Sequence, residues 1–104
     1  MGELSVEVAN GDPAVVTVVG EIDLLTAPSL AAPLRALIDG RHAPRIDLDL
    51  GGVPFMDSTG IQVLLAASAD AKAADIPFRV RAASGPVKRV LGLTGVLESL
   101  GLAG

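Results

Sequence analysis

A chain of 104 residues, half of them apolar, has the length and hydrophobic content for a single domain, 1–104, around one core. Its 8 basic and 12 acidic residues leave a formal charge of -4, so no positive field exists to draw nucleic acid or an anionic membrane. With no cysteine there are no disulfides, thiolate metal sites or cysteine catalysis, and two phenylalanines give no platform for stacking bases.

The start, Met1-Gly2-Glu3-Leu4-Ser5-Val6, lacks the basic stretch and apolar run of an export signal. Val6 also stands where a myristoylation signal needs Ser or Thr. Apolar runs such as Val63 to Ala67 fall far short of the roughly 20 residues that span a bilayer. A cytoplasmic protein without membrane insertion is expected.

From Glu3 to Val8 the pattern alternates, Leu4, Val6 and Val8 against Glu3, Ser5 and Glu7, as in a half-buried strand. Asn10-Gly11-Asp12-Pro13 turns the chain into Ala14 to Gly20, a β-branched run whose short connection makes it antiparallel to the first strand. Beyond Gly20-Glu21-Ile22-Asp23, Thr26 is suited to N-cap a helix with Pro28 in its first turn. Leu30, Leu34, Leu37 and Ile38 then share one helical face, and Gly40 ends it. Pro33 would cost about 3 kcal/mol in a helix interior, so a kink or a late start is expected.

Arg45 to Leu50 alternates again, with Ile46, Leu48 and Leu50 inward and Arg45, Asp47 and Asp49 outward. A second helix, capped by Asp57 or Ser58, follows to about Ala74 with Ile61, Leu64, Leu65 and Ser68 on one face. Pro77 to Arg81 reads as a fourth strand, Phe78 and Val80 opposed to Arg79 and Arg81. Ser84 caps a third helix bearing Val87, Val90 and Leu91, which Gly92 or Gly95 stops; a short helical tail over Val96 to Leu100 is possible.

This order predicts an α/β fold, a mixed sheet of four to five strands whose later members are joined by right-handed crossovers. Clean alternation in three strands puts the helices mainly on one face of the sheet. The other face collects Glu3, Glu7, Asp47, Asp49, Arg79 and Arg81, expected to be a solvated surface. If the third and fourth strands are neighbours, the Asp and Arg pairs oppose each other, each contact contributing ~0.2–1 kcal/mol.

Catalytic constellations are missing. The single histidine, His42, sits in the turn Gly40-Arg41-His42-Ala43-Pro44 and reads as a surface residue. Ser68 to Lys72 and Ser84 to Lys88 are each one residue too widely spaced for a Ser-x-x-Lys pair, and no Gly-x-Ser-x-Gly elbow occurs. No phosphate loop or dinucleotide fingerprint is present, and the scattered carboxylates suggest neither a metal site nor an acid/base pair. A protein that is not an enzyme and needs no cofactor or metal is expected.

One segment stands apart. Gly51-Gly52-Val53-Pro54-Phe55-Met56-Asp57-Ser58-Thr59-Gly60-Ile61 brings three small polar side chains to a helix N-terminus where one cap would serve. The plainer reading is that they only cap the helix. The sharper one is that free N–H groups and the positive end of the helix dipole tolerate a phosphate on Ser58. That group would add about -1.5 to -2 charges without unfolding the domain.

The segment from Asp49 to Ile61 resembles the signature of STAS domains, and of bacterial anti-sigma factor antagonists in particular. Gly20-Glu21-Ile22-Asp23 with Thr26-Ala27-Pro28 is similar to the family's first loop, and Val90-Leu91-Gly92-Leu93-Thr94-Gly95-Val96 to its closing segment, so the likeness spans essentially the whole chain. The resemblance implies that Ser58 is phosphorylated by a cognate serine-kinase anti-sigma factor, an ATP-binding protein, and dephosphorylated by a phosphatase. It implies a partner-binding surface of Asp23, Thr26, Asp57, Ser58, Thr59 and Gly60, on a monomer or weak dimer. The unphosphorylated form would bind the anti-sigma factor and free a sigma factor for transcription; the phosphorylated form would be released.

A 100-fold change in affinity needs only about 2.7 kcal/mol, within reach of a dianion buried at an interface beside Asp57 and Asp23. Thr59 stands where many relatives carry a second Ser and offers another hydroxyl for phosphate. The chain ends soon after Leu102, so a final element of longer relatives is expected to be absent. Two other classes compete: a non-switched STAS assembly subunit of a transporter or signalling complex, with Ser58 only a cap and contact, and a small-ligand or nucleotide sensor.

Overall fold

Period-two alternation and β-branched residues make the first two strands, and a turn too short for a crossover makes them a hairpin. The computed structural model, which describes residues 4–40 and 43–93, places β1 at Ser5–Ala9 and β2 at Ala14–Val19, antiparallel, with Val6 opposite Val18 and Val8 opposite Val16. Then follow α1 (Ala27–Gly40), β3 (Ile46–Gly52), α2 (Ser58–Ala73), β4 (Phe78–Ala83) and α3 (Gly85–Leu93). β2 pairs with β3 and β3 with β4, both parallel, so the four strands lie in the order β1-β2-β3-β4.

This is the mixed sheet expected from the element order. Both crossovers step the same way across it, and right-handed connections then bring α1 and α2 to the same face. Burial agrees: Ala14, Val16 and Val18 of β2, Ile46, Leu48 and Leu50 of β3, and Val80 of β4 share one core with Leu30, Leu34, Leu37 and Ile38 of α1 and Leu64, Ala67 and Ala71 of α2. The apolar stripe read for α1 is buried in full. Of the stripe read for α2, Ile61 and Leu64 are buried and Leu65 remains partly exposed, while Ala67 and Ala71 complete the inward face.

Four local expectations change. Val8, placed on the inner side, is 38% exposed because it lies near the end of the edge strand β1. α1 begins at Ala27 and runs through Pro33, so there is no late start; proline has no N–H, and the carbonyl of Ser29 loses its usual donor. Of the two stops read for α3, Gly92 does not end it, since the helix runs to Leu93, and Gly95 lies outside the described residues. Asp47 is not solvated but buried, on the central strand β3 between Val15 and Arg79, and Arg79 reaches it with two hydrogen bonds of 3.1 and 3.2 Å.

The second Asp–Arg pair does not form in register. A bulge between Leu48 and Asp49 lets Asp49 face Ala82, leaving Arg81 as the extra residue. Asp49 instead accepts a 2.8 Å hydrogen bond from the N–H of Gly51. The expected features at Glu3, His42, Gly95 and Val96 to Leu100 lie outside the described residues, as does the part of the closing segment from Thr94 to Val96.

Candidate functional site

A sheet of parallel strands gathers the loops that leave its carboxyl ends, and here those are the loop from Gly20 to Thr26 after β2 and the loop from Val53 to Asp57 after β3. An isolated parallel bridge between Ile22 and Met56 ties them. The N–H of Ile22 donates to Phe55 O at 3.0 Å, and the N–H of Asp57 donates to Ile22 O at 3.1 Å. The first loop is thereby laid alongside the residues that lead into α2.

Within that first loop, Asp23 and Thr26 hold each other. The Asp23 N–H donates to Thr26 Oγ1 at 2.9 Å, and Asp23 Oδ1 accepts from the N–H groups of Leu25 and Thr26, each at 3.0 Å. The Thr26 hydroxyl donates back to the carbonyl of Glu21 at 2.8 Å. Thr26 therefore precedes the first residue of α1, as expected of a cap, but its buried hydroxyl faces the loop. The capping carboxylate is Asp23, one turn earlier, in the reciprocal manner of a capping box.

At the start of α2 the N-cap is Asp57, the first of the two alternatives. Its Oδ1 accepts from the Thr59 N–H at 2.9 Å and from the Thr59 hydroxyl. That hydroxyl, with smaller help from the Thr59 and Gly60 amides, holds the Asp57 carboxyl below its usual value of 3.8 against an opposing desolvation effect. Ser58 is the first residue of the helix and exposed, and its side chain has no hydrogen-bond partner among the described residues. Thr59 is half-buried with its hydroxyl committed to Asp57, so the two neighbouring hydroxyls differ in kind.

Gly60 explains how the loops come so close. A Cβ there would meet Met56 Cγ at 2.4 Å, Met56 Sδ at 2.6 Å and Ile22 Cγ2 at 2.8 Å. Only a residue without a side chain lets α2 begin directly over the Ile22–Met56 bridge. On the far side, the Ser84 hydroxyl donates to the carbonyl of Val53 at 2.6 Å and anchors the second loop to the start of α3.

All six residues singled out in the sequence, Asp23, Thr26, Asp57, Ser58, Thr59 and Gly60, thus fall on these two joined loops and the first turn of α2. Three apolar residues on the same loops were not singled out. Leu24 is 72%, Leu25 87% and Phe55 49% exposed. The signal for them was two adjacent leucines inside a loop, outside any helical or strand period. No cluster of three or more His, Asp or Glu that could hold a metal occurs among the described residues, and no helix among them is long and apolar enough to cross a membrane.

Residues 5–102 match a family model described as "Mlab, STAS domain". Among solved structures the chain is similar to an anti-sigma factor antagonist from Mycobacterium paratuberculosis, at 31% identity and a TM-score of 0.85, over 96% of this chain and 85% of that one. It is also similar to the anti-sigma factor antagonist SpoIIAA in its unphosphorylated form, at 20% identity and a TM-score of 0.79, covering 98% and 89% of the two chains. The Bacillus cell fate determinant SpoIIAA in the phosphorylated form gives 19% identity, a TM-score of 0.74, and 97% and 89% coverage. At such identities the two SpoIIAA structures bear on the fold alone.

Proposed function

This chain belongs to the STAS domain family, and on that premise we propose that it works as an anti-sigma factor antagonist switched by phosphate on Ser58. The unmodified form binds a serine-kinase anti-sigma factor in the cytoplasm and so frees a sigma factor. The kinase then transfers a phosphoryl group from ATP: the Ser58 Oγ–P bond forms, the bond from the γ-phosphorus to ADP breaks, and the hydroxyl proton passes to a base on the kinase. A phosphatase returns serine and inorganic phosphate by adding water. The chain itself is a binding partner and not the catalyst.

One observation carries this reading: Ser58 stands exposed at the first position of α2 while Asp57 already does the capping, so its hydroxyl is spare. A phosphate there sits at the positive end of a helix, which favours the modified free protein and leaves its fold intact. Docking that phosphate against another surface requires its desolvation next to Asp57 and Asp23, which opposes binding. Thr59, its hydroxyl held by Asp57, is the poorer acceptor and serves the cap. Asp23, Thr26 and Gly60 shape the surface the partner meets.

Incubation with ATP and the serine-kinase anti-sigma factor of the same genome is expected to add one phosphate, located on Ser58 by mass spectrometry. Ser58→Ala is expected to bind without accepting phosphate, and Ser58→Asp to bind at least about 100-fold more weakly, equivalent to about 2.7 kcal/mol. No phosphate on Ser58, or equal binding by Ser58→Asp, overturns the switch; the second result is what a constitutive assembly subunit would give.

A further inference from the structure

Leu24 and Leu25 are held out by construction. The Asp23–Thr26 lock fixes a turn whose two middle residues are these leucines, 72% and 87% exposed. The Ile22–Met56 bridge puts Phe55, 49% exposed, on the adjoining strand of loop, and α2 opens with Ser58 three residues later. Single exposed leucines are ordinary, but three large apolar side chains exposed on two hydrogen-bonded loops, one of which leads directly into the spare hydroxyl of Ser58, are more than scattered surface residues.

We infer that Leu24, Leu25 and Phe55 are the apolar anchor by which the kinase partner holds the unmodified chain, and that their burial around Ser58 is what makes phosphate incompatible with docking. This rests on the reading of the preceding subsection. The occupant follows from reach: to bring the γ-phosphorus of ATP to Ser58 Oγ, a kinase must lay the mouth of its nucleotide site over both loops, and so over these three side chains. The matching surface is an aliphatic pocket at that mouth. Because the lock fixes the turn before binding, little ordering cost opposes the contact. An anchor of this kind excludes water from the hydroxyl it surrounds, and a dianion formed there loses its hydration on docking.

The test uses the full chain and the ATP-binding serine-kinase anti-sigma factor. The double variant Leu24→Ala/Leu25→Ala and the single variant Phe55→Ala are expected to keep the wild-type circular dichroism and Tm. Each is expected to bind the kinase at least about tenfold more weakly, equivalent to about 1.4 kcal/mol, and to be phosphorylated with a raised KM and a kcat near wild type. In the double-variant background Ser58→Asp is expected to cost less affinity than it does in the wild type. Wild-type affinity in both variants overturns the inference while leaving the phosphate switch standing; failure of the wild-type chain to bind or be phosphorylated fails the preceding reading instead. If sedimentation shows a wild-type dimer that the double variant dissociates, the patch serves a second copy and the inference is likewise overturned.

Discussion

At position 60 any side chain collides with Met56 and Ile22, and the shortest of those approaches involve a thioether that can give way only by displacing its neighbours. Gly60→Ala is therefore expected to destabilise the protein by about 1–3 kcal/mol, the usual cost of forcing atoms into a filled space, read as a fall in urea midpoint. Asp57 makes a second prediction, in pH. Its folded-state pKa lies below 3.8, so the ionised form favours folding; this contribution is present above the unfolded value and lost as pH falls through the lowered folded one. Urea unfolding of wild type and Asp57→Asn between pH 7 and pH 2 is expected to show wild type more stable at neutral pH and the difference vanishing at the acid end. A constant difference would mean that the carboxylate's charge contributes nothing to the cap. Such residue-scale facts were legible in part: Asp57 and Ser58 both suit a cap by chemistry, and only the hydrogen bonds to Thr59 assign that work to Asp57 and leave Ser58 spare.

Among the elements, α1 best separates pattern from detail. Its period of apolar residues identifies the buried face without error, because burial of Leu30, Leu34, Leu37 and Ile38 is a property of spacing. Its start is different, since Pro33 argues locally against a helix while the packing of the flanking turns holds one together. Pro33→Ala restores an N–H to the Ser29 carbonyl and is expected to stabilise the protein by up to about 3 kcal/mol, less the ~0.4–1 kcal/mol by which proline restricts the unfolded chain. Thermal unfolding checks the sign: a lower Tm in the variant would show that the proline ring makes packing worth more than the missing bond. The capping of α1 was misread for a related reason. Thr26 has the chemistry of a cap, but its hydroxyl is drawn to Glu21 and Asp23 by a loop geometry that spacing does not encode.

For the molecule as a whole, the alternation in the strands and the order of the elements sufficed for the mixed sheet with its helices on one side. Both follow from local chemistry, the two-residue period of a strand and the handedness of a crossover. Charge on the open face did not follow, because exposure there depends on neighbours. Asp47 is buried by its place on the central strand and by Arg79, whereas Asp49, two residues on, loses its arginine to a bulge. The chain alone determined the elements, the family likeness and the six residues that gather at one end of the sheet, since each is written in composition, period or motif. Tertiary structure alone decided which hydroxyl is free and which leucines stand exposed. Those outcomes depend on what two loops distant in sequence do to one another when Ile22 meets Met56.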